Sequence, residues 1–199
     1  MARKTQITKD VILEASFQML LREGYDAINI TTLAKEIGCS TQPIAWQFGS
    51  MDGLREELLQ YCLTFLKDKF TIEGEDAEHI LEKIAEHYVD MALDYPNLYK
   101  YIYMSERDGK MIGQVTHDLR ADNYAKMVQI LAQEKHITEE AAERYIINLQ
   151  LYVHGIASYI VSRFSFMSKD VAMQMIHEAQ EAFLAYAKKD TLYTKEEDI

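Results

Sequence analysis

Cysteine is nearly absent from this chain. Only Cys39 and Cys62 occur in 199 residues, in neither a paired-cysteine nor a Cys/His spacing. A disulfide framework and a thiolate metal site are thereby excluded, and both residues read as ordinary reduced thiols. Proline is just as scarce, with Pro43 and Pro96 alone. The eight glycines are scattered, so no glycine-rich phosphate loop exists, and no Gly-x-Ser-x-Gly nucleophile motif occurs. Long hydrophobic runs are missing too. The longest uncharged stretch, Ile146 to Ser162, contains Asn148, Gln150 and His154 and is short for a membrane span, so it reads as a buried helix. The basic N-terminus is not followed by an apolar segment with a cleavage site; no signal peptide and a cytoplasmic location are expected. No segment alternates with the period of a strand, and no repeat or low-complexity tract appears. The fold class is all-α, with about nine helices.

Charge is one-sided. The net value of −11 comes from 32 acidic against 21 basic residues. Residues 1–50 hold five of each sign, so the whole negative excess lies beyond them. Arg3, Lys4 and Lys9 give the extreme N-terminus a positive bias. A chain polarised in this way presents its N-terminal end to an anion with less repulsion than the rest.

That end carries the most informative stretch, Asn29 to Phe48. Asn29 is a good N-cap, since its side-chain carbonyl can accept a bond from an early free amide. Leu33, Ala34 and Ile37 follow at helical spacing. Gly38 ends the helix where the chain must turn left-handed. Ser40 is expected to cap a second helix beginning at Thr41, with Pro43 in its first turn. Ile44 and Phe48 would bury that helix from below, leaving Thr41, Gln42, Ala45, Trp46 and Gln47 outward. Two short helices joined by a glycine turn form the helix-turn-helix pattern, whose second helix can enter a DNA major groove.

The rest of the chain reads as helices with polar punctuation. The first is expected from about Lys9 to Glu23, and a fourth from the Ser50 cap towards Phe70. Glu73-Gly74-Glu75-Asp76 marks a boundary. Further helices are expected from Ala77 to about Leu93, from Pro96 through Tyr103, and from Asp118 or Asp122 to near His136. Two more should run from the Thr138 cap to about Phe166 and from Ser168 to about Lys189, with a frayed tail from Tyr193. Gly109 and Gly113 mark a loop. Residues 1–50 are therefore read as a helix-turn-helix DNA-binding domain, 51–70 as a connecting helix, and 71–199 as a second helical domain.

These residues resemble the N-terminal domain of the tetracycline-repressor (TetR) family of transcriptional regulators. Ile12, Ala15, Met19 and Leu20 form the apolar stripe of that family's first helix, and Glu23-Gly24-Tyr25 its end. Leu33-Ala34 and Gly38-Cys39-Ser40 match its second helix and turn. Ala45-Trp46-Gln47-Phe48 and Ser50-Met51-Asp52-Gly53-Leu54 stand where the family has Tyr-x-His-Phe and Ser-Lys-x-x-Leu. Ala45, Gln47 and Met51 thus replace a tyrosine, a histidine and a lysine that usually touch DNA phosphates, the main source of sequence-independent affinity. Leu151-Tyr152-Val153-His154-Gly155-Ile156 resembles a Trp-x-His-Gly element in the regulatory domain of one subgroup.

The resemblance implies a dimeric, ligand-responsive regulator, commonly a repressor, binding double-stranded DNA at a palindromic operator. Base and backbone contacts fall to Ser40, Thr41, Gln42, Pro43, Trp46 and Gln47, with Thr31, Thr32, Lys35 and the Arg3/Lys4 arm on phosphates. It implies a homodimer through the last two helices, and an effector pocket. Tyr88, Met91, Tyr103, Tyr124, Met127 and Tyr152 are candidates to line that pocket, each also serviceable as core filler. No cofactor, metal or membrane partner is implied. His79, Glu82, Glu86 and His87 share one helix face, which reads as a solvated, salt-bridged surface rather than a metal site. His154 reads as a core histidine. No nucleophile or convergent acid pair suggests an enzyme. The alternative reading keeps the fold and drops DNA: a dimeric ligand-binding or protein-interaction module whose Ala45 and Met51 mark a decayed DNA surface.

Overall fold

Helix signals in the sequence decide most of the architecture. The computed structural model describes residues 7–69, 76–105, 121–163 and 166–194, and among these no residue forms a strand. Among the described residues nine α-helices follow one another: α1 Lys9–Glu23, α2 Ile30–Ile37, α3 Gln42–Phe48, α4 Met51–Lys69, α5 Ala77–Asp94, α6 Pro96–Tyr99, α7 Ala121–Lys135, α8 Glu139–Val161 and α9 Lys169–Thr194. A 3-10 turn, Tyr25–Ala27, precedes α2, and a π-turn, Lys100–Met104, continues α6. The expected loop at Gly109 and Gly113 and the tail beyond Thr194 lie outside the described residues.

The chain forms two units, residues 1–71 with 95–105, and 72–94 with 106–199. In the first, α1 buries Ile12, Phe17 and Leu20, and α4 buries Leu54, Leu58 and Cys62. Phe17 packs its ring against Tyr61 and Phe65 of α4, with centroids 5.3 and 4.8 Å away. The Tyr61 hydroxyl donates to the Glu14 carboxylate, which pushes the phenol up to about 12. Residues 95–105, read from the sequence as part of the second helical domain, belong to this unit. Asn97 donates to the Leu21 carbonyl at 3.1 Å, and the Tyr101 hydroxyl to the Arg55 carbonyl at 3.0 Å. Tyr101 also stacks on Tyr25, whose ring lies 4.6 Å from the Arg55 guanidinium carbon.

The start of α4 explains an odd glycine. Ser50 caps the helix as expected, its hydroxyl accepting from the Gly53 amide at 3.1 Å. A Cβ on Gly53 would stand 2.3 Å from the Phe48 carbonyl oxygen, a backbone atom that cannot swing aside. Space, not dihedral freedom, demands glycine there.

In the second unit α5, α7, α8 and α9 share one core. Leu81 and Val89 come from α5, Leu131 from α7, Tyr145, Leu149 and Val153 from α8, and Ala172 and Ile176 from α9. Thr138 caps α8 by accepting from the Ala141 amide at 3.2 Å, and Ser168 caps α9 through Val171. Helix α8 stops at Val161, short of the expected Phe166, because Arg163 takes φ 55° and turns the chain left-handed. Helix α9 runs on to Thr194, past the expected Lys189. The acidic face of α5 is salt-bridged as read. Glu86 accepts from Lys83 at 2.8 Å and from Lys169 of α9 at 2.9 Å, and Lys169 also reaches Asp90 at 2.7 Å.

Two measurements test this packing. Gly53→Ala should lower the unfolding free energy by about 1–3 kcal/mol, the usual cost of overpacking, read by urea denaturation. The second concerns pH. Bonds from Lys83 and then Lys169 hold the Glu86 carboxyl down to about 2, from an ordinary 4.5. A depressed carboxylate contributes its full stability above its unfolded value and loses it as pH falls through the folded one. The stability gap between wild type and Glu86→Gln should therefore hold at neutral pH and close as pH drops from 4.5 towards 2.

Candidate functional site

The helix-turn-helix is built from local rules. Asn29 accepts from the amides of Thr31 and Thr32, both at 3.0 Å, and its own amide donates to the Thr32 hydroxyl at 3.0 Å. This reciprocal arrangement satisfies free amides at the start of α2. The Thr32 hydroxyl in turn donates to the Ala27 carbonyl at 2.8 Å. Thr32 therefore serves the cap, whereas Thr31 and Lys35 stand exposed without such a duty.

At the other end Gly38 adopts φ 74° and ψ 35°, the left-handed region. The Cys39 amide bonds the Ala34 carbonyl at 2.9 Å and the Gly38 amide bonds Lys35 at 3.2 Å. These are the two bonds of a Schellman turn. Beyond its chain neighbours no atom of the described residues lies within 4 Å of a Cβ built on Gly38, so the dihedral calls for glycine. Cys39 is half-buried in the turn.

Helix α3 begins at Gln42, one residue later than expected, and Ser40 does not cap it. The N-cap is Thr41, with no side-chain bond to the helix. Pro43 explains why a cap is dispensable: it removes an amide hydrogen from the positions that a capping oxygen serves. Below, Ile44 and Phe48 are buried as expected. Above, Thr41, Gln42, Ala45 and Trp46 are exposed, and Trp46 reaches 85%. No charged residue occurs in α3.

Gln47 has a structural task that sequence reading missed. Its amide donates to the Ile7 carbonyl at 2.8 Å, across 40 positions of chain. It thereby anchors the root of the N-terminal arm beside α3. Arg3 and Lys4 lie outside the described residues. Lys9 pairs with Glu57 and lies 5.5 Å over the Phe48 ring, so this cation is held within the unit.

The candidate effector residues are divided. Tyr88, Tyr124, Met127 and Tyr152 are half-buried around the core of the second unit, and Met91 of the same unit is fully buried. Tyr152 meets Phe183 edge-on at 6.1 Å. Burial pushes the Tyr124 phenol up. Tyr103 belongs to the first unit, with its ring 5.0 Å from that of Tyr99. Burial also lowers the half-buried His154 imidazole. Among the described residues no three His, Cys, Asp or Glu side chains gather to hold a metal, and no helix is long and apolar enough to cross a membrane.

Comparison with known proteins agrees with this geometry. Residues 12–58, which are α1 through the first half of α4, match the family described as bacterial regulatory proteins, tetR family. The uncharacterised HTH-type transcriptional regulator YobS of Bacillus subtilis strain 168 is 18% identical over 188 residues, covering 93% of this chain and 95% of that protein. A TetR-like transcriptional regulator from Rhodococcus sp. RHA1 shares the fold with a TM-score of 0.66 at 15% identity, over 90% of this chain and 99% of the other. A protein from Saccharomonospora viridis, crystallised in complex with choline, gives 0.68 at 19% identity over 85% and 93%. Helix-turn-helix geometry and family match converge on residues 12–58, which carry the DNA-binding domain of the tetR family of regulatory proteins, and the whole chain shares its fold with TetR-like transcriptional regulators.

Proposed function

We propose that the protein is a homodimeric, effector-responsive repressor that acts in the cytoplasm on a palindromic operator. The observation that carries this reading is α3 itself, a short helix anchored by Ile44 and Phe48 with its opposite face bare. Thr41, Gln42 and Trp46 lie against bases. Thr31, Lys35 and the Arg3/Lys4 arm lie against phosphates. Gln47 acts indirectly, by fixing the root of the arm through Ile7.

Dimerisation uses α8 and α9. Ile147, Leu151 and Tyr159 are exposed apolar residues of α8 at four-residue or eight-residue spacing, and Gly155 completes the stripe. Such spacing draws one face along a helix. Apart from its chain neighbours and the backbone of its own helix, a Cβ on Gly155 would meet no atom of the described residues within 4 Å. A partner helix crossing at that point gives the glycine its use. Two protomers then present their α3 helices about 34–36 Å apart, one turn of DNA.

The effector site is assigned to Tyr88, Met91, Tyr124, Met127 and Tyr152. Tyrosine faces attract organic cations, and the choline-bound Saccharomonospora viridis protein shares the fold. Choline is accordingly the first probe for a thermal-shift titration. Effector binding changes operator affinity only through different affinity for the two states of the dimer.

Selection of sites from randomised duplexes tests the reading. A palindrome with half-sites one turn apart is expected. Arg3, Lys4 and Lys35 in two protomers give a log–log salt slope of about −5, and Lys35→Ala should make it shallower by about 2. Leu151→Glu should yield monomers by sedimentation and abolish binding to the selected site. No enrichment by a folded dimer would favour a module that has lost DNA.

A further inference from the structure

The bare face of α3 points to the kind of base it reads. At about 100° per residue, Trp46 lies diametrically opposite the midpoint of the buried pair Ile44 and Phe48. Gln42 and Ala45 lie to one side of it, about 40° and 100° around the helix, and all three are exposed. Pro43 and Gln47 are half-buried along one edge, and the amide of Gln47 is bonded to Ile7. Gln42, Ala45 and Trp46 are therefore what the helix offers to a groove floor. It offers no charge.

The major-groove edge of guanine presents two acceptors, O6 and N7, whose usual partner is an arginine or lysine. None stands on this face. The Gln42 carboxamide has one donor group and one acceptor, the complement of adenine N7 and N6. The Trp46 indole and the Ala45 methyl form an apolar surface. Among major-groove edges the apolar group is the thymine 5-methyl. Against a G·C pair the same surface would strip water from O6, N7 and the cytosine N4 group without replacing the lost bonds.

We propose that α3 reads A·T pairs, with Gln42 on adenine and the Trp46–Ala45 surface packed on thymine 5-methyl groups. This rests on the DNA-binding reading above and specifies its substrate: operator half-sites whose centres are A·T.

The experiment starts from duplexes selected out of a randomised library by the full-length protein. Each thymine of the selected half-site is then replaced in turn by deoxyuridine, which keeps the base pair and removes only the methyl. A·T pairs are expected under α3, and uracil at one or two of those positions should weaken binding about fourfold, the value of one buried methyl. Trp46→Ala protein should be indifferent to the same replacement, and Gln42→Ala should relax the preference for adenine. If Trp46→Ala binds too weakly to titrate, the uracil series with the wild-type protein decides alone. A selected palindrome with G·C pairs at the half-site centres, or one insensitive to uracil throughout, overturns this inference and leaves the regulator reading standing. A library from which nothing is enriched removes both.

Discussion

A helix of seven residues has no stability of its own in water, since nucleation costs more than so few bonds return. Everything that α3 does therefore depends on the burial of Ile44 and Phe48 beneath it. Those two side chains set the rotation of the helix and decide that Trp46, not Pro43 or Gln47, faces outward. The surrounding devices all serve that anchorage. The Schellman turn at Gly38 delivers the chain at the right angle, Lys9 covers the Phe48 ring, and α4 starts hard against the Phe48 carbonyl. A small domain that must leave one face bare needs its opposite face over-determined.

Much of this was legible in the sequence because it is written in nearest-neighbour terms. Asn29, Gly38, Ser50 and Thr138 act on amides or carbonyls within a few residues of themselves, so their chemistry survives translation into a one-dimensional reading. The expected extent of α1, about Lys9 to Glu23, agrees with the helix. Ser40 does not cap α3 because Pro43, three residues on, removes the need that a cap would meet. The bond of the Gln47 amide to Ile7, forty positions away, leaves no local trace. The place of the segment 95–105 leaves no local trace either: Tyr99 and Tyr101 are fully buried, and Tyr101 donates to a backbone carbonyl of α4.

In the second unit the division of labour is between apolar layers and polar ties between helices, of which that of Lys169 is shared by two carboxylates. Alanines at 85, 132, 142, 157 and 172 are buried and allow close helix approach, while aromatic and methionine side chains border the core. Lys169 holds the first turn of α9 to α5 through two carboxylates. Surface ion pairs contribute little singly, but a cation shared by Glu86 and Asp90 fixes the register of one helix on another. The candidate effector residues Tyr88 and Met91 lie on the same helix as those two carboxylates.

The solitary tryptophan has an optical consequence. Thirteen tyrosines share the chain with it, yet at the red edge of aromatic absorption the indole alone is excited. All emission then originates from a ring that is 85% exposed on the outward face of α3. The chain thus carries its own fluorescent reporter at the surface proposed to meet the groove, with no second indole elsewhere to dilute the signal.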